Sequence, residues 1–163
     1  MDIPRAPKKT PPSGWTNGSL QPSKPDLAAA SSMDTSLRGT ETILIVEDDP
    51  MLLDVLSGIL RQLGYNVIPA GSATEAQRLA KSHGRIGLLI TDFSIPESNG
   101  LELALWFRAA YPEMKVLIAS GSLWELKYHA DDIHQFAFLA KPFTPYELAR
   151  VVRLMLEPRP KLP

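Results

Sequence analysis

The chain has 163 residues, 44% of them apolar and 21% charged, which is enough for one ordinary globular core. The absence of cysteine excludes disulfides and thiolate metal sites, and a formal net charge of −1 gives no overall attraction to nucleic acid or anionic lipid. No apolar run approaches the roughly 20 residues of a membrane span, and the N-terminus lacks the apolar stretch of a secretory signal. We therefore expect a soluble, cytoplasmic protein that binds neither nucleic acid nor a membrane.

Residues 1–40 differ in composition from the rest of the chain. They hold six of the fifteen prolines, many serines and threonines, and few large apolar side chains. Such a segment buries too little apolar surface to offset chain entropy. We predict a disordered, mildly basic tail over 1–40, one domain over 41–157, and a short C-terminal tail over 158–163.

Five apolar runs after residue 41 are predicted to be strands. Their near-continuous Ile, Leu, Val and Ala content is typical of parallel strands buried on both faces. The runs are 43–47, 65–69, 86–91, 115–119 and 136–140. Because helical segments alternate with them, right-handed crossovers predict an α/β fold, a doubly wound sheet with helices on both faces.

Capping residues mark the ends of the predicted helices. A first helix begins at Asp49 and Pro50 and stops at Gly64, and another runs from about Leu101 to Tyr111, before a proline.

Two further helices are predicted to open with capping boxes, Ser72 with Glu75 and Thr144 with Glu147. The segment from Leu123 to Ile133 has no clean apolar stripe, which indicates a short or mobile helix.

Charged residues stand at the ends of three predicted strands. Glu47 and Asp48 close the first run, Asp92 follows the third, and Lys141 follows the fifth. Because carboxyl ends of parallel strands share an edge, these side chains should meet there. Three carboxylates repel one another unless a divalent cation or the lysine lies close. The pattern predicts a Mg²⁺ site that handles phosphate.

Each residue alone has a simpler interpretation. Asp92 could be a turn former, Lys141 a solvated loop charge, and Ser120 with Gly121 a plain turn. Jointly they favour a site, since turn formers have no reason to recur along one sheet edge as acids, a hydroxyl and a lysine.

The three histidines, by contrast, lack metal-ligand spacing and are expected to be surface or partly packed side chains. They are His83, His129 and His134.

Four segments together resemble the receiver domain of two-component response regulators, over roughly residues 41–157. They read ILIVEDDP, LLITDFSIPESNG, VLIAS and FLAKPF. The resemblance implies a flavodoxin-like sheet of order 2-1-3-4-5 in which a histidine kinase or phosphotransfer protein phosphorylates Asp92. It also implies that Glu47, Asp48, Asp92 and the backbone carbonyl of Ser94 hold Mg²⁺.

The resemblance assigns roles to further residues. Lys141 would contact a phosphoryl oxygen, Ser120 would donate its hydroxyl, and Ser120 with Phe138 would form the conformational switch. The bond from Lys141 to Pro142 would be cis. Asp49 aligns one place beyond the metal pair, and we interpret it as a helix cap.

Two departures from the family pattern limit these expectations. Phe138 stands where the switch aromatic is often tyrosine, so it offers no hydroxyl to a partner. Residues 131–135 (DDIHQ) replace a turn that is usually rich in small residues, which puts the preceding helix and its dimerisation surface in question.

Two function classes remain. The favoured one is a stand-alone phosphoacceptor, a monomer or weak homodimer that switches the binding of an unknown downstream protein or relays phosphate. It is not an enzyme beyond Mg²⁺-dependent self-phosphorylation and slow autodephosphorylation. The alternative is an interaction module of the same fold that signals without phosphorylation. A small phosphohydrolase would need a substrate pocket, and no insertion is long enough to build one.

Overall fold

A computed structural model describes residues 35–96, 98–121 and 135–157. Its strands are β1 Thr42–Val46, β2 Asn66–Ala70, β3 Leu88–Asp92, β4 Ser94–Ile95, β5 Ser98–Asn99, β6 Lys115–Ser120 and β7 Ala137–Ala140. Its α-helices within these ranges are α1 Pro50–Gln62, α2 Ala73–Ser82, α3 Gly100–Ala110 and α4 Pro145–Leu156. The predicted elements that fall in these ranges are present, with ends shifted by one or two residues.

The main sheet is parallel and runs in the order β2-β1-β3-β6-β7. Counted over these five strands, the order is 2-1-3-4-5, which confirms the predicted flavodoxin-like fold. Because all five strands point the same way, their carboxyl ends share one edge, and the residues that follow them are neighbours.

Alternate side chains of each strand enter two cores. In β1, Leu44 and Val46 belong to the core covered by α2 and α3, whereas Ile43 and Ile45 belong to the core covered by α1 and α4. Burial on both faces explains why the strands read as continuous apolar runs.

The predicted caps are present, with one correction. Thr144 and Glu147 form a full capping box at the start of α4. At α2, the Ser72 hydroxyl accepts a hydrogen bond from the Glu75 N–H, but the Glu75 carboxylate accepts from the N–H of Gly71 and not from that of Ser72. The side chain of Glu75 therefore reaches one residue further back than a capping box requires.

The short antiparallel hairpin of β4 and β5 was not predicted. Two-residue strands are too short to show any periodicity in the sequence. The hairpin brings Asn99 to the start of α3, where its side chain accepts a hydrogen bond from the Glu102 N–H at 2.7 Å. The helix consequently begins at Gly100 rather than Leu101.

The packed domain begins before residue 41. A 3₁₀ turn spans Thr35–Leu37, and the side chain of Leu37 is only 6% exposed. Residues 35–40, which composition assigned to the tail, thus belong to the fold.

Several predictions lie outside the described residues. They concern the tails over 1–34 and 158–163, the helix over 123–133, and the turn before the fifth strand. Within the described ranges, none of the helices combines the length and apolar character that crossing a bilayer requires.

Two hydroxyl deletions should differ in their effect on stability. Ser57 Oγ is buried with no hydrogen-bond partner among the described residues, so Ser57→Ala should leave the free energy of unfolding unchanged or raise it by up to about 1 kcal/mol. Thr144→Ala removes a cap and should lower it by about 1 kcal/mol. Urea denaturation of both variants measures the difference, and a clear loss for Ser57→Ala would reveal a partner for its hydroxyl.

Candidate functional site

The carboxyl edge of the sheet brings the predicted acidic residues together. Glu47 follows β1, Asp92 ends β3, and these strands are paired with Val46 opposite Thr91. Carboxylate oxygens of Glu47, Asp48 and Asp92 all lie within 4.8 Å of one another. The predicted acidic cluster therefore exists as a three-carboxylate group.

Lys141 bridges two of these carboxylates. Its Nζ donates to Asp92 Oδ2 at 2.9 Å and to Glu47 Oε2 at 3.0 Å. All three side chains are largely withdrawn from solvent, with exposed fractions of 22% for Lys141, 15% for Asp92 and 5% for Glu47. Pairs this sheltered are screened less by salt than surface pairs.

The electrostatics of Lys141 are those of a partly buried cation with two anionic partners. Burial alone would lower its pKa, but the hydrogen bonds to Asp92 and Glu47, with their negative charges, outweigh burial and raise the pKa above its ordinary value. The ammonium form is therefore favoured in the folded protein.

The carboxylates of Glu47 and Asp49 accept hydrogen bonds from different backbone N–H groups and therefore have different roles. The N–H of Glu47 donates to the Ala70 carbonyl, and Glu47 Oε1 accepts from the N–H of Asp49 at 3.3 Å. The Asp49 carboxylate turns to α1 and accepts from the N–H groups of Met51 and Leu52. The interpretation of Asp49 as a helix cap is confirmed.

The acidic cluster fits a hard divalent cation. Glu47 and Asp48 supply adjacent carboxylates, one buried and one exposed, and Asp92 supplies the third. Mg²⁺ prefers oxygen ligands, retains several waters, and is commonly held by only one or two carboxylates. The donor set is thus sufficient for Mg²⁺ without any nitrogen or sulfur ligand.

Ser94 contacts Asp92, and Ser120 directly follows Ala119, the residue that pairs with Asp92 in the sheet. The N–H of Ser94 donates to Asp92 Oδ1 at 3.3 Å. Ser120 ends β6, is buried, and accepts through its carbonyl a hydrogen bond from the Lys141 N–H at 2.8 Å. The ligand role of the Ser94 carbonyl and the donor role of the Ser120 hydroxyl stay predictions.

Phe138 is half-buried and packs against the core covered by α2 and α3. The Lys141 to Pro142 peptide is cis, as the resemblance implied. His83 contacts the Leu79 carbonyl at the end of α2 and is not part of the acidic cluster, and the other two histidines lie outside the described residues.

Gly100 is a site residue that the sequence reasoning missed. A Cβ placed on it would lie 2.0 Å from the Asp92 carbonyl oxygen, and the Gly100 N–H donates to the Phe93 carbonyl at 2.7 Å. Only glycine lets α3 start this close to the backbone of Asp92. The Asn99-Gly100 pair in the sequence was the available signal, although on its own it indicates no more than a turn.

Comparison with known families supports this geometry. A family model described as the response regulator receiver domain matches residues 43–153, more than half of the chain.

Among curated proteins, the chain is 33% identical to the sensor kinase CckA of Brucella abortus and 32% identical to the DNA-binding transcriptional regulator NtrC of Azospirillum brasilense. The matches cover 76% and 71% of this chain but only 13% and 24% of those proteins. The transcriptional regulatory protein PdtaR of Mycobacterium tuberculosis is 30% identical, with 69% of this chain and 55% of that protein covered. The chain therefore matches only part of these longer relatives.

Solved structures match over nearly their whole length. A CheY-like receiver domain protein of Methanospirillum hungatei is 30% identical with a TM-score of 0.63, and the match covers 72% of this chain and 94% of that one. The response regulator TrrA of Thermotoga maritima, solved in complex with Mg²⁺-BeF, is 27% identical with a TM-score of 0.63, and the match covers 72% and 100%.

The ion pairs of Lys141 should make stability depend on alkaline pH. Because its folded-state pKa is raised, the stabilisation is fully present below the unfolded value of 10.5 and is lost as pH rises through the folded value. Wild type should therefore lose free energy of unfolding above pH 10.5 more steeply than Lys141→Met. Denaturant titrations of both proteins at several pH values measure this, and equal slopes would mean that the ion pairs contribute nothing.

Proposed function

Because the chain belongs to the response regulator receiver domain family, we propose that it accepts a phosphoryl group on Asp92 and uses that modification to signal. Members of this family are phosphoacceptor signalling domains. The proposed donor is the phosphohistidine of a histidine kinase or of a histidine phosphotransfer protein.

The observation that carries the proposal is the position of the Asp92 carboxylate. One oxygen is 2.9 Å from the Lys141 ammonium, and the other accepts the Ser94 N–H. Hydrogen-bond donors thus lie next to the Asp92 carboxylate, which would carry the phosphoryl group. Stabilising charge where it develops is the main task of a phosphoryl-transfer site.

The proposed reaction is a single displacement at phosphorus. An unprotonated Asp92 oxygen forms the new O–P bond while the N–P bond of phosphohistidine breaks, and the imidazole nitrogen keeps that electron pair. Lys141 turns its ammonium to a phosphoryl oxygen, and the Ser120 hydroxyl donates to another. Glu47 and Asp48, with Asp92 and the Ser94 carbonyl, would hold Mg²⁺, which supplies neutralisation of phosphoryl charge when bound.

The proposed response couples the site to the edge strand. Ser120 and Ala140 are paired residues of β6 and β7, and Phe138 lies two residues before Ala140 on β7. When Ser120 moves toward a phosphoryl group, Phe138 would turn inward to fill the vacated space. Two arrangements of this pair are the switch we propose, and occupancy of Asp92 selects between them.

The proposed output is protein binding by the receiver domain, or phosphate relay to another protein. The downstream partner is a protein rather than nucleic acid or a membrane. We propose a cytoplasmic monomer or weak homodimer whose own chemistry is limited to self-phosphorylation and slow autodephosphorylation. An interaction module that is never phosphorylated is the opposing hypothesis, and the complete set of Glu47, Asp48, Asp92, Ser120 and Lys141 argues against it.

Asp92→Asn should abolish phosphorylation by acetyl phosphate with Mg²⁺, because an amide lacks the nucleophilic oxygen. Intact-mass spectrometry of wild type should find one added phosphoryl group that hydroxylamine removes, as an acyl phosphate requires. Asp49→Asn is the matched control, since asparagine caps a helix as well as aspartate does. Undiminished labelling of Asp92→Asn would refute the assignment, and no labelling of wild type would favour the unphosphorylated module.

Mg²⁺ should raise the melting temperature, because a ligand that binds only the folded state stabilises it by mass action. Glu47→Gln combined with Asp48→Asn should remove this response, whereas Asp54→Asn, an exposed acid on α1, should retain it. Thermal denaturation with and without Mg²⁺ gives the comparison. A double variant that still gains stability would locate the cation elsewhere.

A further inference from the structure

Residues 35–41 form a strap that docks at the amino end of the sheet. They precede β1 and lie outside the residues matched by the family model, 43–153. Leu37, in the first turn of the strap, is buried in the same core as Leu60, Leu63 and Val152. Burying a leucine side chain stabilises a fold by roughly 1.5–3 kcal/mol, so the strap is held by more than surface contacts.

Two hydrogen bonds, one from the backbone and one from a side chain, fasten the strap to residues between α1 and β2. The N–H of Gly39 donates to the Leu63 carbonyl at 3.1 Å, and the Tyr65 hydroxyl donates to the Leu37 carbonyl at 3.0 Å. Both bonds join the strap to residues more than 20 positions away, so both are lost when it undocks.

The strap packs closely against the residues that contact it, and two glycines make this possible. A Cβ on Gly39 would lie 2.2 Å from Cε1 of the Tyr65 ring, and a Cβ on Gly64 would lie 2.8 Å from the Gly39 carbonyl oxygen. Gly64 also has a φ of +94°, which favours glycine. Two glycines thus allow the two backbones to approach.

Arg153, on α4, holds the strap in place through contacts with Glu41 and Arg38, which we call the latch. Its guanidinium donates to Glu41 Oε1 at 2.7 Å and to the Arg38 carbonyl at 3.1 Å. The Arg153 side chain is only 13% exposed. Hydrogen bonds between a sheltered guanidinium and a carboxylate are stronger than neutral ones.

The helix that carries Arg153 begins shortly after the site residue Lys141 in the chain. α4 starts at Pro145, four residues after Lys141, and its capping box fixes that first turn. Its 12 residues span about 18 Å, from the carboxyl edge of the sheet toward the amino end. One helix therefore follows closely after Lys141 in the chain at one end and contacts the strap through Arg153 at the other.

We propose that docking of the strap is coupled, through α4, to the state of Lys141 at the acidic cluster. Groups that hold Lys141 in place reduce the local fluctuations of the first turn of α4. A more ordered α4 keeps Leu37 and Arg153 in their docked contacts. Releasing Lys141 loosens α4 and lets the strap open. The coupling acts through order rather than through a large displacement, so its signature is amide exchange. The response to a phosphoryl mimic rests on the proposed function, whereas the response to loss of Lys141 does not.

The direct reporter is the N–H of Gly39, which exchanges slowly only while it is bonded to Leu63. Hydrogen–deuterium exchange is followed on the full chain, with trypsin cleavage after Arg38 as an independent measure of strap opening. Mg²⁺ with beryllofluoride should slow both by about fivefold or more, the lower end of typical coupling between sites. Unchanged or faster rates with the mimic bound would overturn the coupling.

Two variants test the latch and the coupling separately. Arg153→Met should speed Gly39 exchange and remove its response to beryllofluoride, whereas Arg150→Met, which changes an exposed arginine of the same helix, should do neither. Glu41→Gln, a milder change that keeps the Arg38 contact, should have an intermediate effect and serves if Arg153→Met fails to fold. Equal exchange in all these proteins would mean that Arg153 is no latch.

Lys141→Met distinguishes failure of this inference from failure of the proposed function. Binding of beryllofluoride is measured by its own effect on melting temperature. If the mimic does not bind but Lys141→Met speeds Gly39 exchange, the coupling stands and the phosphoacceptor proposal fails. If the mimic binds and neither it nor Lys141→Met changes Gly39 exchange, the coupling is wrong and the phosphoacceptor proposal stands.

Discussion

The pairing of Lys141 with Asp92 and Glu47 is the interaction on which the site depends. Three carboxylates within 4.8 Å repel one another, and the ammonium is the cation that the chain itself supplies. Lys141 follows β7, which is separated from β3 by β6, so its side chain reaches across the end of the intervening strand. The two ion pairs therefore form only when four strands, β1, β3, β6 and β7, are paired in register. The electrostatics of the site therefore depend directly on correct assembly of the sheet.

Stability and chemistry are divided between the two ends of the sheet. The carboxyl end collects three carboxylates whose mutual repulsion is offset in part by the partly buried Lys141 and would be offset further by a bound cation. At the amino end, Leu37, the two close-packed glycines and the Arg153 latch supply apolar burial and satisfied hydrogen bonds. α4 connects the two ends, which gives the C-terminal helix a part in both.

Local patterns predicted the features that depend on neighbours in sequence. Asp49 and Thr144 cap helices because the N–H groups they accept from lie two or three residues away. Such patterns failed where a partner is distant. Leu37 is one apolar residue in a polar segment, and it is buried because it packs with Leu60, Leu63 and Val152. Gly100 reads as a turn residue until the backbone of Asp92 is seen against it.

The sequence by itself determined the fold class and the chemical types at the sheet edge, because buried parallel strands and their polar ends leave a direct record in residue order. It could not state which carboxylates Lys141 contacts, since that follows from strand order across β6. Nor could it place residues 35–40 within the fold or seat α3 on Asp92. Those features were decided by tertiary structure, because burial and close backbone approach arise between segments that share no local pattern.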